Sequence, residues 1–372
     1  MRSLFFFSFL LLFATSFSQD YYLFIGTYTG SGSKGIYVYR FNASTGKADW
    51  ISNTDSAANP SYLAIASGGN FVYAVNETGG NQPGSVSAYS FNKTNGTLSL
   101  INQQPSGGDH PCYISIDKGN RWAVVGNYSG GNLSALPINK DGSLAPPAEV
   151  VQHTGSSANK QRQEKAHVHA AVFSPAQDYL FSPDLGMDQI TIYQFKPSAA
   201  KPLEEAQQKY VACPPGSGPR HFTFDPSGKF AYLIEELSGT VAAFSYNKGK
   251  LTFLQRLSTH PPDFKGNIGS ADIHVSPDGK FLYASNRGDA NSITIFSIAP
   301  NGKLQWKGYQ STLGVHPRNF MIDPTGNYLL IANRDSDAVV VFKRDQQTGL
   351  LQDTGQRIEV PKPVCLKMLT KE

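Results

Sequence analysis

The sequence predicts an all-β chain closed into a seven-bladed β-propeller, with four antiparallel strands per blade and one blade built from both ends of the chain. Three observations predict it. A pair of short strand-like runs around a turn recurs from Pro60, Pro111, Val168, Pro219, Ser270 and Pro317, at intervals of 51, 57, 51, 51 and 47 residues. Eleven residues past each start stands an aromatic: Phe71, Trp122, Tyr179, Phe230, Phe281 and Tyr328. Aromatics make up 12% of the chain, so six matches in six are not chance. The ends also complement one another: residues 21–55 lack a first strand, and 363–368 supplies one. Repeats of roughly 50 residues that carry four strands each are the mark of a propeller.

The copy at 216–246 reads most clearly, with strands expected at 221–225, 229–235 and 240–246. Its first turn, Asp-Pro-Ser-Gly-Lys, is matched by Ser-Pro-Asp-Gly-Lys at 276–280 and Asp-Pro-Thr-Gly-Asn at 323–327. Proline presets such a turn and glycine accepts its positive φ. Third strands are expected at 85–91, 132–138, 189–195, 240–246, 292–298 and 338–343. Turns at Gly96, Gly142, Gly249, Gly302 and Gly349 then lead to fourth strands, whereas the copy from Val168 has a longer link at 196–202. The partial copy offers a second strand at 22–27, with Tyr22 in the aromatic slot, a third at 35–41, and Gly46 in the next turn. Pairing it with the C-terminal run removes the open sheet edge that a ring would otherwise leave. An open solenoid needs no such complementarity, and a β-sandwich does not repeat at this interval.

Composition narrows the partners. The formal charge of +4, from 32 Lys and Arg against 28 Asp and Glu, is too small and dispersed for a nucleic-acid or anionic-membrane surface. Arg2, the apolar segment 4–13 and the small residues Ala14-Thr15-Ser16-Phe17-Ser18 read as a signal peptide cleaved after Ser18. That apolar run is too short to cross a hydrocarbon core of roughly 30 Å. Residues 19–372 are thus expected to form a single exported domain, periplasmic or secreted, with no membrane span in the mature form, acting as a monomer. Cys112, Cys213 and Cys365 are an odd count, so at least one is free; all three are expected to be buried rather than to form a disulfide framework or a metal knuckle.

The first strand of each blade lines a propeller's axial channel, so equivalent repeat positions converge there. One residue past each start lie Ser61, Cys112, His169, Arg220, Ala271, Arg318 and Val364. The second strands end in Asn76-Glu77, Asn127-Tyr128, Asp184-Leu185, Glu235-Glu236, Asn286-Arg287, Asn333-Arg334 and Thr27-Tyr28. A purely structural slot would repeat one residue type. These slots vary and hold His, Arg, Asp and Glu, as a site on a pseudo-symmetric axis requires. The recurring Asn reads instead as a turn residue capping backbone, and Asp184 and Asp188, beside Gly186, read more readily as turn-forming than catalytic.

Ala166-His167-Val168-His169, the run 183–188, Gly218-Pro219-Arg220-His221, Glu236-Leu237, the run 273–279, Ala284-Ser285-Asn286-Arg287-Gly288 and His316-Pro317-Arg318 together resemble the seven-bladed propeller lactonases. That family includes propeller-type bacterial 6-phosphogluconolactonases and fungal carboxymuconate-lactonizing enzymes, and the resemblance runs through the Pro-Val-Cys ending. It implies a lactone hydrolase whose small-molecule substrate is opened in the central channel without a cofactor. The implied site residues are Glu236, His169, Arg220 and Arg287, expected to be catalytic, and His167. With His167, Glu235, Arg318 and Asp184 are the residues expected to bind substrate. The chain departs from the resemblance at Glu235, where the family usually has Asn; strand alternation sends only one of Glu235 and Glu236 toward the axis.

The residue types suit that chemistry. Lactone hydrolysis passes through a tetrahedral oxyanion. Glu236 can activate water; His169 can do the same or protonate the leaving alkoxide. Arg220 and Arg287 can bind the oxyanion or clamp a carboxylate or phosphate. No Gly-x-Ser-x-Gly elbow suggests an acyl-enzyme. Other readings stand beside this one. Arg220 and Glu236 can form a purely structural pair, and Arg318 and Arg334 can be channel-wall salt-bridge partners. His167 and His169 share a strand face, but the spacing supplies no third ligand, so no metal is expected. The same site can run a cycloisomerisation of an unsaturated dicarboxylate. A propeller can also bind a sugar, peptide or protein without catalysis. Export favours a free aldonolactone over a sugar phosphate made in the cytoplasm.

Overall fold

The computed structural model describes residues 19–30, 32–55 and 57–371; the proposed signal peptide lies outside them. Seven four-stranded antiparallel sheets make up the fold. The closing blade runs Pro363–Thr370, Asp20–Thr27, Ile36–Asn42 and Ala48–Asn53 from the axis outward. Its two ends pair from Tyr21 with Thr370 to Thr27 with Pro363. Blades 1 to 6 follow in chain order, and their innermost strands are Tyr62–Ile65, Pro111–Ile116, Val172–Phe173, Pro219–Phe224, Ser270–Val275 and Pro317–Ile322. The one helical element among the described residues is the short turn Arg334–Ser336.

Strand limits depart from the expected ones by a residue or two, most at the inner edge. In blade 1 the strand begins at Tyr62 rather than Pro60. In blade 3 only Val172–Phe173 is a regular strand, and Val168 reaches Asp184 through an isolated bridge. The spacer 155–165 enters the ring just before this strand, and beyond the regular pair the His169 and Leu185 N–H groups bond to the Pro183 and His167 carbonyls.

The repeated aromatic opens the second strand of each complete blade, and its partner is the repeated glycine. Phe71 meets Gly142, Tyr179 meets Gly249, Phe230 meets Gly302, Phe281 meets Gly349 and Tyr328 meets Gly46, each glycine belonging to the next blade. All five glycines have positive φ, and a Cβ there would lie 2.2–2.6 Å from the ring. Two residues further along the same strands, Tyr73, Tyr232 and Tyr283 donate their hydroxyls to the carbonyls of Gly142, Gly302 and Gly349. The longer link at 196–202 is the exception that fits: there Trp122 donates its indole N–H to the Pro197 carbonyl at 3.0 Å. The two sequence signals are therefore one contact between neighbouring blades. The cores lie between blades too; one cluster joins Tyr232, Ile234 and Val241 of blade 4 to Ile273, Leu282 and Phe296 of blade 5. Cys112, Cys213 and Cys365 are free and buried, as expected.

Gly302→Ala should therefore cost both the left-handed backbone penalty of about 1–2 kcal/mol and an overpacking penalty of about 1–3 kcal/mol. Gly355→Ala, with φ of 76° and open space around it, should cost the first alone. Urea unfolding of the two variants should place Gly302→Ala well below Gly355→Ala; equal midpoints would contradict the ring contact.

Candidate active site

A β-bulge aims the inner-strand residues at the axis. In blade 4 Pro219 pairs with Glu235 and His221 with Ile234, leaving Arg220 as the extra residue. The same slip leaves Cys112 unpaired in blade 2, Arg318 in blade 6 and Val364 in the closing blade. In blade 5 it falls across Ala271 and Asp272. A bulged residue leaves the ladder and bends its strand, which turns its side chain out of the sheet's regular alternation. The slot read from the sequence is thus a bulge slot.

The second-strand slot splits into two rows. Its first residue ties down the crossover from the preceding blade. Asn76, Asn127, Asn286 and Asn333 donate their amides to the carbonyls of Ala58, Ser106, Thr259 and Thr312. Asp184 and Glu235 occupy this row. Asp184 accepts from the backbone N–H groups of His167, Gly186 and Met187 and pairs with His153 at 2.8 Å. Glu235 is fully buried and held bidentately by Arg256 at 2.7 and 2.9 Å. Both carboxylates, expected to bind substrate, are engaged by protein partners in this structure. Alternation sends Glu236, not Glu235, to the axis.

Glu236 is the centre of that cluster. Its Oε2 accepts from Arg220 Nε and lies on Arg287 Nη2, both at 2.9 Å, and its Oε1 accepts from Arg162 Nη2 at 2.8 Å. Burial by itself would raise this carboxyl; Arg287, Arg220, His169 and Arg162 outweigh it and hold it well below the usual carboxylate range. Arg220, only 1% exposed, also donates Nη1 to the Ala271 carbonyl and to His221. Arg287 donates Nε to Gly269 at 2.9 Å and Nη2 to Ser270 at 3.2 Å. Burial lowers its guanidinium to about 10, still charged at neutral pH. Arg220 Nη2 and Arg287 Nη1 have no hydrogen-bond partner among the described residues.

His169 stands beside this group. Its Nδ1 lies 3.7 Å from the Cys112 sulfur, its ring meets Tyr128 and His221 edge-on, and Nε2 has no partner among the described residues. Burial first, then Arg220, pushes the imidazole well below its ordinary range, so it is neutral at pH 7. Burial pushes the neighbouring Cys112 thiol up, which leaves it protonated. His167, two residues earlier, is occupied: its Nδ1 contacts the Tyr128 carbonyl and its Nε2 Glu164, each at 3.1 Å, and it stacks on Tyr128. This residue, expected to contact substrate, instead packs on Tyr128 in this structure. Arg318 lies over the Tyr28 ring and 3.7 Å from Glu77, whose carboxylate accepts from the Tyr28 hydroxyl. Arg334 pairs instead with its neighbour Asp335. No group of three His, Cys, Asp or Glu among the described residues could hold a metal ion.

Two residues of the site escaped the sequence reading. Arg162 arrives on the spacer 155–165, fixed by Ser157 and Gly216–Gly218 on Asp188; the 57-residue interval was its only trace. Asp272 hides in blade 5 behind Ala271, because the bulge there spans two residues. Next to Arg220, His221 is edge-on to both Tyr62 and Tyr113, which stack at 4.2 Å.

Comparison with known proteins agrees with this architecture. Residues 22–368 match the family described as lactonase, 7-bladed beta-propeller. A 6-phosphogluconolactonase of Formosa agariphila is 40% identical, over 94% of this chain and 99% of its own. One from Bacillus subtilis is 36% identical, over 93% and 97%. The solved structure of the periplasmic gluconolactonase of Pseudomonas aeruginosa superposes with a TM-score of 0.89 at 39% identity, covering 94% of this chain and 99% of that one. The chain belongs to the seven-bladed β-propeller lactonase family.

Proposed function

We propose that this lactonase opens a sugar lactone by direct water attack at the axial cluster, with an unphosphorylated aldonolactone as its substrate. One observation carries the reading: the unpartnered N–H groups of Arg220 and Arg287 lie in one cluster with a neutral histidine whose Nε2 is free. The two guanidinium groups receive the lactone carbonyl and strengthen their hold as it becomes an oxyanion, so their stabilisation is greatest where the barrier lies. His169 Nε2 takes the proton of the attacking water. The tetrahedral adduct then collapses, the ring C–O bond breaks, and the proton passes to the leaving alkoxide, giving the open hydroxy acid. Glu236 is ionised too firmly to be a good base; it orients Arg220 and Arg287 and balances their charge.

Four arginines, 162, 220, 287 and 318, face two glutamates, 77 and 236, across the channel mouth. That surplus suits the carboxylate that every lactone yields on opening, so no phosphate is needed to explain it. Export after Ser18 supports the free sugar acid as well. It is in keeping with the apolar segment 4–13 and with the periplasmic relative. Among the described residues no helix is long and apolar enough to cross a membrane.

Proton release on a pH-stat tests this, with residues 19–372, glucono-δ-lactone and its 6-phosphate offered separately, and spontaneous opening subtracted. The free lactone should be turned over at least as efficiently as the phosphate; a blank rate on both would remove sugar lactones from the reading. Arg220→Ala should lower kcat by about 10²–10³-fold, and His169→Ala by about 10²–10⁴-fold. Glu236→Gln should all but abolish turnover, whereas Glu235→Gln should weaken folding and spare the rate per folded molecule. Equal losses at 235 and 236 would contradict the two-row geometry.

The pH profile follows from the same groups. His169 works as a neutral imidazole and Glu236 as a carboxylate, and both are shifted below their ordinary values. Each keeps its active form as pH falls past the usual histidine range. The enzyme's contribution to kcat/KM should therefore stay flat from about pH 8 down to about pH 6 and fall only in stronger acid. A break near 6.5 would show that His169 titrates normally and is not held as described.

A further inference from the structure

Arg220 is buried on the axis, yet only one of its fixed partners, Glu236, is charged. The others are the Ala271 carbonyl and the imidazole of the next residue, His221. An imidazole can hold a guanidinium only if the facing nitrogen carries a lone pair, and the structure provides for that. His221 Nδ1 lies 2.7 Å from Asp272 Oδ1, and Nε2 lies 3.3 Å from Arg220 Nη1. A carboxylate only accepts and a guanidinium only donates. The hydrogen must therefore sit on Nδ1 and the lone pair on Nε2. Asp272 is itself locked. Its Oδ2 meets His274 Nε2 at 2.9 Å and accepts from the Asn319 amide and the Phe320 N–H; its Oδ1 also accepts from the Ile273 N–H. Asn319 in turn accepts from the Leu366 N–H of the closing blade.

We propose, building on the lactonase site above, that Asp272 and His221 form a positioning pair: Asp272 fixes the His221 tautomer, and His221 Nε2 then holds Arg220 at the angle its oxyanion contact requires. In this role neither residue contacts the reacting atoms. His221 packs edge-on against Tyr62 and Tyr113 and is held by Asp272, and all four line a cavity of about 310 Å³. Burial and Arg220 push His221 down to about 4 against the pull of Asp272, in keeping with a neutral ring at working pH. The network reaches from blade 4 through blades 5 and 6 to the strand that shuts the ring, so a complete ring is needed to aim one catalytic arginine.

Two substitutions separate positioning from packing because they keep opposite halves of the imidazole. His221→Gln places an amide oxygen near Nε2 and keeps the acceptor for Arg220. His221→Asn places its amide near Nδ1 and keeps the contact with Asp272, but leaves Arg220 without it. Steady-state kinetics on glucono-δ-lactone, with Arg220→Ala beside them, should show kcat lowered about 10- to 100-fold in His221→Asn with KM little changed, since small misplacements of a catalytic group cost on this scale. His221→Gln should restore most of the rate. His221→Asn as active as His221→Gln, with Arg220→Ala inactive, would overturn the positioning role alone. Full turnover by Arg220→Ala would instead overturn the site reading beneath it. Nitrogen-15 spectra of histidine-labelled wild-type protein need no variant to fold: His221 should be the neutral Nδ1–H tautomer between about pH 6 and 8, and an Nε2–H tautomer would refute the proposal.

Discussion

Everything about the site depends on the ring being closed. Pairing of Pro363–Thr370 with Asp20–Thr27 seals the last sheet edge and forces seven inner strands to face one axis. Once they do, a bulge in the repeat becomes a convergent feature: the same extra residue that would be a local kink in an isolated hairpin delivers Arg220, Arg318 and Cys112 to one place. The aromatic-on-glycine contacts set how closely successive blades approach, and hence how wide the channel is. Stability, pore width and active-site geometry follow from one repeated unit used seven times.

The resulting site gathers charge that could not persist in a dry interior unless paired. Glu236 is buried among three guanidinium groups, and Arg220 is almost wholly enclosed. Such a cluster is weak evidence for stability, because desolvation offsets most of its attraction. Its significance is geometric. Donors that are already desolvated and already oriented need little reorganisation when an oxyanion forms in front of them. The same surroundings keep His169 neutral and Cys112 protonated, which selects a general base over a thiolate nucleophile.

The fold was almost wholly legible in the sequence because it repeats: the aromatic and the later turn glycine were each read six times and the turn proline three times, so a weak copy was supported by the others. The axial slot was legible for the same reason, and it named Arg220, His169 and Arg287, which the structure brings into one cluster with Glu236. What was not legible is whatever breaks the repeat. Arg162 sits on an insertion with no counterpart in other blades, and Asp272 falls one residue off register because its bulge is wider. The partners of His167, Asp184 and Glu235 were not legible for a different reason. The spacing of these three is that of channel residues, and only the hydrogen bonds to Tyr128, Gly186 and Arg256 reveal that they are engaged elsewhere.

The most direct measurement is a crystal structure with gluconate, the product of the proposed reaction, soaked to saturation. The account predicts its carboxylate between Arg220 and Arg287, within hydrogen-bond distance of both, with His169 Nε2 beside it. A cavity of about 620 Å³ between the closing blade and blade 1, lined by Asn76, Ser87 and Gln103, is the alternative. Gluconate bound there, with the axis left to solvent, would contradict the claim that the axial cluster is where the lactone opens.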